Sequence, residues 1–534
     1  MHQTKTRLLV TGCLLSLLSA QNVAAEEFNL TSATIADINA AFDSGALNSE
    51  MLVKMSLARI DAYDEAGPKL NAVLLINPNA LETARALDTE RRSQGRRSPL
   101  HGIPVVLKDN LDTADMPTTA GSFMLKDSIP PNDAFLVSKL RAAGAIVLAK
   151  LNMSEFASGE AMNSLDGPIY NPHDPERTPS GSSGGTGAAI AAAYAPVGLG
   201  TDTGGSVRGP SSANGIVGLK PTHGLLSRDG IIPLALSFDT AGPMARSVYD
   251  VAVSLGVMTG VDPADAATMK SEGRFETDYT RFLDADSLKG ARIGIARDFM
   301  EADEEVDWIV EASLQSMRNA GAEIIDVELP EWLLESRGEF YRAIRYREFR
   351  SQIEDYLGTL GPGYPKTLAE LISKSMTLTS RRDDGITPNP GRWDLMMKED
   401  DSGELTDYEY LAVRDHALPL MRGVIGGLME TEKLDAIVYP TSPTRPERAD
   451  PDPDPDGAPG GDGSPVILAN LTGFPDLIVP AGFTGRGLPV SISFLGPAFS
   501  EPRLLALGYA FEQRTGARRL PITTPPLDGE LITY

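Results

Sequence analysis

Between residues 35 and 63 apolar side chains recur at helical spacing (Ile35, Ile38 and Ala41, then Leu52, Met55 and Ile60), which predicts two amphipathic helices joined at Gly45. The pattern then changes. Residues 103–107 form a short continuous run with β-branched members, a buried strand whose end delivers Lys108 and Asp109 into a loop. A helix over 135–143 and a strand over 145–149 follow, then a helix over 186–195, a strand over 197–201 and a short apolar element at 216–219. Further on, strands at 292–297 and 323–327 flank a helix at 306–320. Two late strands, 475–480 and 489–494, precede a closing helix at 501–515. Strand and helix alternate as in a layered α/β protein.

With 534 residues, 42% apolar and 23% charged, the chain can fill a large core and is neither disordered nor fibrous. Its first 25 residues read as a signal peptide: Lys5 and Arg7, an apolar run over 8–20, then Val23-Ala24-Ala25 ahead of the acidic Glu26-Glu27. That run is shorter than the ~20 residues a membrane span needs, so export to the periplasm or medium without a stable anchor is expected. Cys13, the only cysteine, lies inside this segment. Its weak lipoprotein-like context is preceded by too few apolar residues to favour lipidation. Cleavage after Ala25 would leave a mature chain, 26–534, with no thiol nucleophile and no disulfide.

Acidic residues outnumber basic ones by 73 to 48, a net charge of −25, which disfavours nucleic acid and anionic membranes as partners. The five histidines (2, 101, 173, 223 and 416) are scattered without zinc-site spacing, so no metal is expected. An Asp/Pro/Gly-rich stretch at about 446–465 reads as an exposed loop whose spacing departs from a calcium-binding EF-hand.

Two serine-glycine loops carry the candidate chemistry: Ser180-Gly-Ser-Ser-Gly-Gly-Thr-Gly187 and Gly200-Thr-Asp-Thr-Gly-Gly-Ser-Val-Arg208. Glycine lets a substrate approach the backbone, and successive free amides form a concavity suited to developing negative charge. Serine hydrolysis is the implied class. Residues 181–185 match G-x-S-x-G with Ser183 at the centre, the nucleophile elbow of α/β-hydrolases. That motif needs a strand directly before the serine, whereas residues 170–179 form a proline-rich loop, and it needs an acid then a histidine later in the chain, where His416 could serve but sits at helical spacing among Leu411, Leu418 and Met421. No Gly-Lys-Ser/Thr closes the glycine run, which excludes a P-loop.

The stretch from Gly181 to Thr222, with Gly102-Ile-Pro-Val-Val-Leu-Lys-Asp109, Asp239-Thr-Ala-Gly-Pro-Met244, Gly473-Phe-Pro475 and Val479-Pro-Ala-Gly482, resembles the amidase signature family over nearly the whole mature chain. Ser227-Arg-Asp-Gly-Ile-Ile-Pro233 and Tyr509-Ala-Phe-Glu-Gln-Arg-Thr515 look most like bacterial peptide amidases. The resemblance implies a single large α/β domain with a mixed central sheet covered by helices on both faces, and no cofactor. It also implies Ser206 as nucleophile, Ser182 as a bridging serine in a cis peptide after Gly181, and Lys108 as base. The amides of Thr203, Gly204 and Gly205, with Ser206, would form the oxyanion hole. Ser183 would be an accessory hydrogen-bond partner of Lys108, with Asp202 and Arg208 an ion pair bracing the loop. The family commonly has Gly-Gly before the paired serines; here the first is Ser180.

A neutral lysine can serve as base because burial disfavours its charged form. The expected reaction is hydrolysis of C-terminal peptide amides or other small amides through an acyl-enzyme, with an aryl or alkyl acylamidase of the same family as the alternative. A Ser183 esterase and a non-catalytic solute-binding protein are the rivals from other classes. The glutamine-dependent amidotransferase branch is disfavoured by the signal peptide, since that work is cytoplasmic and needs partner subunits. Pocket walls are expected from residues 159–170 and parts of 337–397. Oligomeric state is not encoded in these patterns.

Overall fold

The computed structural model describes residues 27–378, 387–449 and 464–534. The expected signal segment, and residues 450–463 of the Asp/Pro/Gly-rich loop, lie outside them. At the core is an eleven-stranded sheet. In chain order its strands are β1 (Val73–Ile76), β2 (Pro104–Lys108), β3 (Ile146–Leu151), β4 (Val197–Asp202), β5 (Val217–Lys220), β6 (Thr240–Ala245), β7 (Arg292–Ala296), β8 (Glu323–Val327), β9 (Ala436–Pro440), β10 (Asp476–Phe483) and β11 (Pro489–Leu495). Across the sheet they run β8-β7-β9-β11-β10-β5-β6-β4-β2-β3-β1. Parallel pairs β8-β7-β9 and β4-β2-β3 lie toward the two ends, joined by an antiparallel middle from β9 to β4, with β1 antiparallel on the outer edge. The sheet is therefore mixed.

Strand alternation divides the core between the two faces. Val105 and Leu107 of β2, and Ala436 and Val438 of β9, pack on one face with helices Val248–Met258, Glu304–Asn319 and Glu501–Thr515. Val106 packs on the other face against Ala188, Ala189 and Ile190 of α1 (Gly184–Ala191), while Ile437 and Tyr439 meet Ile344 of the long helix α3 (Glu331–Thr359). Between these two helices in the chain lies α2 (Arg208–Ala213). Helices thus cover both faces, as the resemblance implied.

The same alternation sends Lys108 to the side of Val106, toward α1. There the helix approaches the sheet so closely that a Cβ on Gly198 would stand 2.6 Å from Thr186 Cγ2 and one on Gly200 2.8 Å from Ser183 Oγ. Only glycine fits either position. The first helix ends at Ser44 because Gly45 takes φ +79°, its N–H donating to the Phe42 carbonyl, and the second, Ser49–Ile60, starts under an Asn48 cap. Most expected boundaries move by a residue or two, and two of the shifts bear on the site. Helix α1 begins at Gly184 rather than 186 and stops at Ala191, ahead of a left-handed Ala193 (φ +59°). Strand β3 runs on to Leu151 because Lys150, which reads as a terminating charge, is buried and paired with Asp109 at 3.0 Å.

Candidate active site

Lys108 stands at the end of β2 with no exposed surface. A hydrogen bond of 2.7 Å joins its Nζ to Ser182 Oγ, and further bonds run to Thr201 Oγ1 (2.9 Å) and the Thr201 carbonyl (3.3 Å). Burial brings its pKa down to about 7, against the opposing pull of Asp202 and Asp239. Asn110 Nδ2 donates to Thr201 Oγ1 at 3.0 Å, fixing the threonine from its other side. The Gly181–Ser182 peptide is cis, and the Ser182 carbonyl accepts the Ser154 N–H at 3.1 Å.

The two serine loops are tied together where the Ser183 N–H donates to the Ser206 carbonyl at 3.3 Å. Ser183, expected to bond Lys108, lies one residue removed. Its buried hydroxyl donates to the Thr201 carbonyl at 3.2 Å and accepts the Thr201 N–H at 3.3 Å. It is linked to Lys108 through Thr201, which the sequence reading did not single out. The proline-rich loop before Ser183, and the absence of any described histidine bonded to it, leave the elbow arrangement unformed. His101, His173 and His223 instead bond the carbonyls of Leu87, Asn214 and Leu236. His416 is exposed on the short π-helical turn Val413–Ala417.

Ser206 is half-buried, and its hydroxyl bonds no described residue. Around it, Asp202 organises the loop: Oδ1 accepts the Gly205 N–H and Oδ2 the Val207 N–H, both at 2.9 Å. This corrects the expected oxyanion hole. Gly205's amide is consumed by Asp202, and its φ of +122° shapes the turn instead. The N–H groups of Thr203, Gly204 and Ser206 have no partner among the described residues. Thr203 is held from its side chain, its hydroxyl donating to Asp239 Oδ1 at 2.5 Å, while Asp239 Oδ2 accepts the Leu234 and Ala235 amides at 2.9 and 3.0 Å.

The expected Asp202–Arg208 pair is present at 2.9 Å, entirely buried, and belongs to a larger cluster. Arg208 also bonds Asp476 (3.0 Å), Asn470 Oδ1 (2.5 Å) and the Val466 carbonyl, and Asn470 Nδ2 donates to Asp202 at 2.8 Å. Burial alone would raise the Asp202 pKa, but Arg208 and the converging donors hold it well below the ordinary carboxylate range.

The walls come from distant segments. A Cβ on Gly204 would meet the Tyr341 hydroxyl oxygen at 2.6 Å, one on Gly205 would meet Val466 Cγ2 at 2.6 Å, and one on Gly181 would meet Ser154 Oγ at 2.5 Å and the Gly159 carbonyl at 3.6 Å. Both segments expected to supply walls therefore reach the loops. Beside them lies a cavity of about 240 Å³ whose lining includes Ser180, Gly209, Ser212, Thr441 and Val466. No cluster of three metal-ligating side chains occurs among the described residues.

Residues 51–505 match the family described as Amidase. The chain is 38% identical over 491 residues to the A subunit of the glutamyl-tRNA(Gln) amidotransferase of Deinococcus radiodurans, covering 90% of this chain and 96% of that protein. Among solved structures, the native peptide amidase of Stenotrophomonas maltophilia is similar with a TM-score of 0.83 at 39% identity, over 92% of this chain and 99% of that one. The A subunit of the Thermotoga maritima glutamyl-tRNA(Gln) amidotransferase has a TM-score of 0.71 at 28% identity, over 92% and 98% respectively. The chain belongs to the amidase family and is an amidase-signature hydrolase, a membership that implies serine-based cleavage of amides.

Proposed function

We propose that this protein hydrolyses C-terminal peptide amides through a Ser206 acyl-enzyme, with Ser182 and Lys108 as the proton relay. The observation that carries the reading is the 2.7 Å bond between Lys108 Nζ and Ser182 Oγ in a site where burial favours the neutral amine near pH 7. Neutral Lys108 accepts the Ser182 proton as Ser182 takes that of Ser206, and Ser206 Oγ bonds the scissile carbonyl carbon. The carbonyl oxygen, now negative, lies against the free amides of Thr203, Gly204 and Ser206. The C–N bond breaks as the proton returns through Ser182 to the leaving nitrogen. Water then attacks the ester, gives its proton to the relay and releases the acid, restoring Ser206.

The peptide-amide assignment is supported by the structural likeness to the Stenotrophomonas enzyme, greater than that to the Thermotoga amidotransferase protein. The hydroxyl-lined cavity beside Ser180 and Gly209 suits the polar acyl side of a peptide. The signal-peptide pattern expected over residues 1–25 favours work outside the cytoplasm, where a tRNA-dependent amidotransferase would have no substrate. The test offers one N-blocked dipeptide amide, the matching anilide and a longer unblocked peptide, following ammonia, aniline and new amino termini separately. Ammonia release should dominate. Dominant aniline release would move the protein to the acylamidases, and new amino termini would overturn the deamidase reading.

A further inference from the structure

Helix α3 lays one polar stripe against the site: Tyr341, Arg345, Glu348, Gln352 and Tyr356, spaced to share a helix face. Four of the five are bound to described neighbours. Arg345 donates to Ser158 Oγ (2.7 Å), Glu348 accepts the Ser237 N–H (2.9 Å) and the Tyr410 hydroxyl (2.8 Å), Gln352 accepts the Leu236 N–H (2.8 Å), and Tyr356 donates to Asp112 (3.0 Å). Tyr341 is different. Its ring stacks on Phe238 with centroids 5.5 Å apart, and its hydroxyl bonds no described residue while standing 2.6 Å from where a Cβ on Gly204 would lie. Phe238 belongs to the loop whose Leu234 and Ala235 amides Asp239 holds, and Asp239 also anchors Thr203. The ring and the free-amide nest are thus positioned by one carboxylate.

We propose that Tyr341 reads the leaving group: its hydroxyl oxygen accepts a hydrogen bond from the N–H of the scissile amide seated against Gly204. This rests on the Ser206 reading above and adds a specificity residue to it. An amide nitrogen carries the hydrogen this bond requires, and an ester oxygen does not. Held by that bond, the nitrogen lone pair developing at the tetrahedral centre is left free to receive the proton from Ser182. Burial raises the Tyr341 pKa above its ordinary value, so the group stays a neutral phenol across the range in which Lys108 is deprotonated.

The test compares kcat/KM of the full chain and of Tyr341→Phe on an N-blocked dipeptide amide and on the methyl ester of the same acid. Both substrates pass through one acyl-enzyme, so deacylation is common to them. The proposal expects amide kcat/KM to fall about tenfold or more, the equivalent of one lost hydrogen bond, with the ester within about twofold of its original value. Tyr341→Leu, the second variant should the first fold poorly, gives the same amide-selective loss. Equal loss on both substrates, or no loss on either, overturns the proposal while leaving Ser206 in place. Turnover of neither substrate by the unmodified protein overturns the Ser206 reading and this proposal with it.

Discussion

The Gly205 amide donates to Asp202 Oδ1 over 2.9 Å, and this bond divides the loop from Asp202 to Val207 into amides that hold the turn and amides that bond no described residue. Thr203, Gly204 and Ser206 are in the second group. Arg208 sustains the division by pairing with the same carboxylate from inside the protein. On the Ser206 reading proposed above, loop shape and oxyanion stabilisation therefore fall to different amides of one short segment.

The anchoring of Thr203 by Asp239 leads to a first prediction. Asp239→Ala leaves the Thr203 hydroxyl and the Leu234 and Ala235 amides without their acceptor, so Thr203 and its N–H lose their fixed direction. Steady-state kinetics should give a kcat reduced about 10²-fold, the lower end of what removal of one oxyanion donor causes, with KM changed far less. An unchanged kcat would remove Thr203 from the oxyanion site.

Lys108 predicts both activity and stability against pH. With its folded pKa near 7, kcat/KM should rise about tenfold per pH unit up to that value and then level off, and Lys108→Ala should lose about 10²-fold or more at neutral pH. The folded-state pKa lies below the unfolded one, so between about 7 and the ordinary lysine value the unfolded chain binds more protons and stability rises with pH. Lys108→Met removes that contribution. Denaturant titration should find it at least as stable as the parent near pH 7 with a shallower rise above it, Lys220 retaining a dependence in the same direction.

Removing the cation of the buried cluster should act mainly on folding. Arg208→Met strands Asp202 and Asp476 without their partner, and loss of one member of such a buried pair typically costs about 3–5 kcal/mol. Chemical denaturation measures it. A loss below about 1 kcal/mol would mean the cluster is wetter than its burial implies.

Much of this architecture was legible because strand and helix periods are local properties: the run ending at Lys108 and the closing helix at Glu501–Thr515 are written in adjacent residues. The serine loops were legible for a different reason, their density of glycine and hydroxyl groups. What escaped was set by contacts distant in the chain. Residues 337–397 were expected to supply part of the walls, but nothing local singles out Tyr341 within them as the neighbour of Gly204. Thr201 and Asn110 carry no unusual local signal and matter only because β2 and β4 are paired. Gly205 is a different case: the resemblance placed its amide in the oxyanion hole, whereas the Asp202 carboxylate, only three residues away, takes that amide, a contact set by local loop geometry rather than by residue type.

The central claim, that Ser206 is the nucleophile, is tested most directly by reacting the full chain with a fluorophosphonate and locating the adduct by peptide mass spectrometry. The account predicts stoichiometric labelling at Ser206, abolished in Ser206→Ala and strongly slowed in Lys108→Ala. Labelling at Ser183 that persists in Ser206→Ala would contradict it.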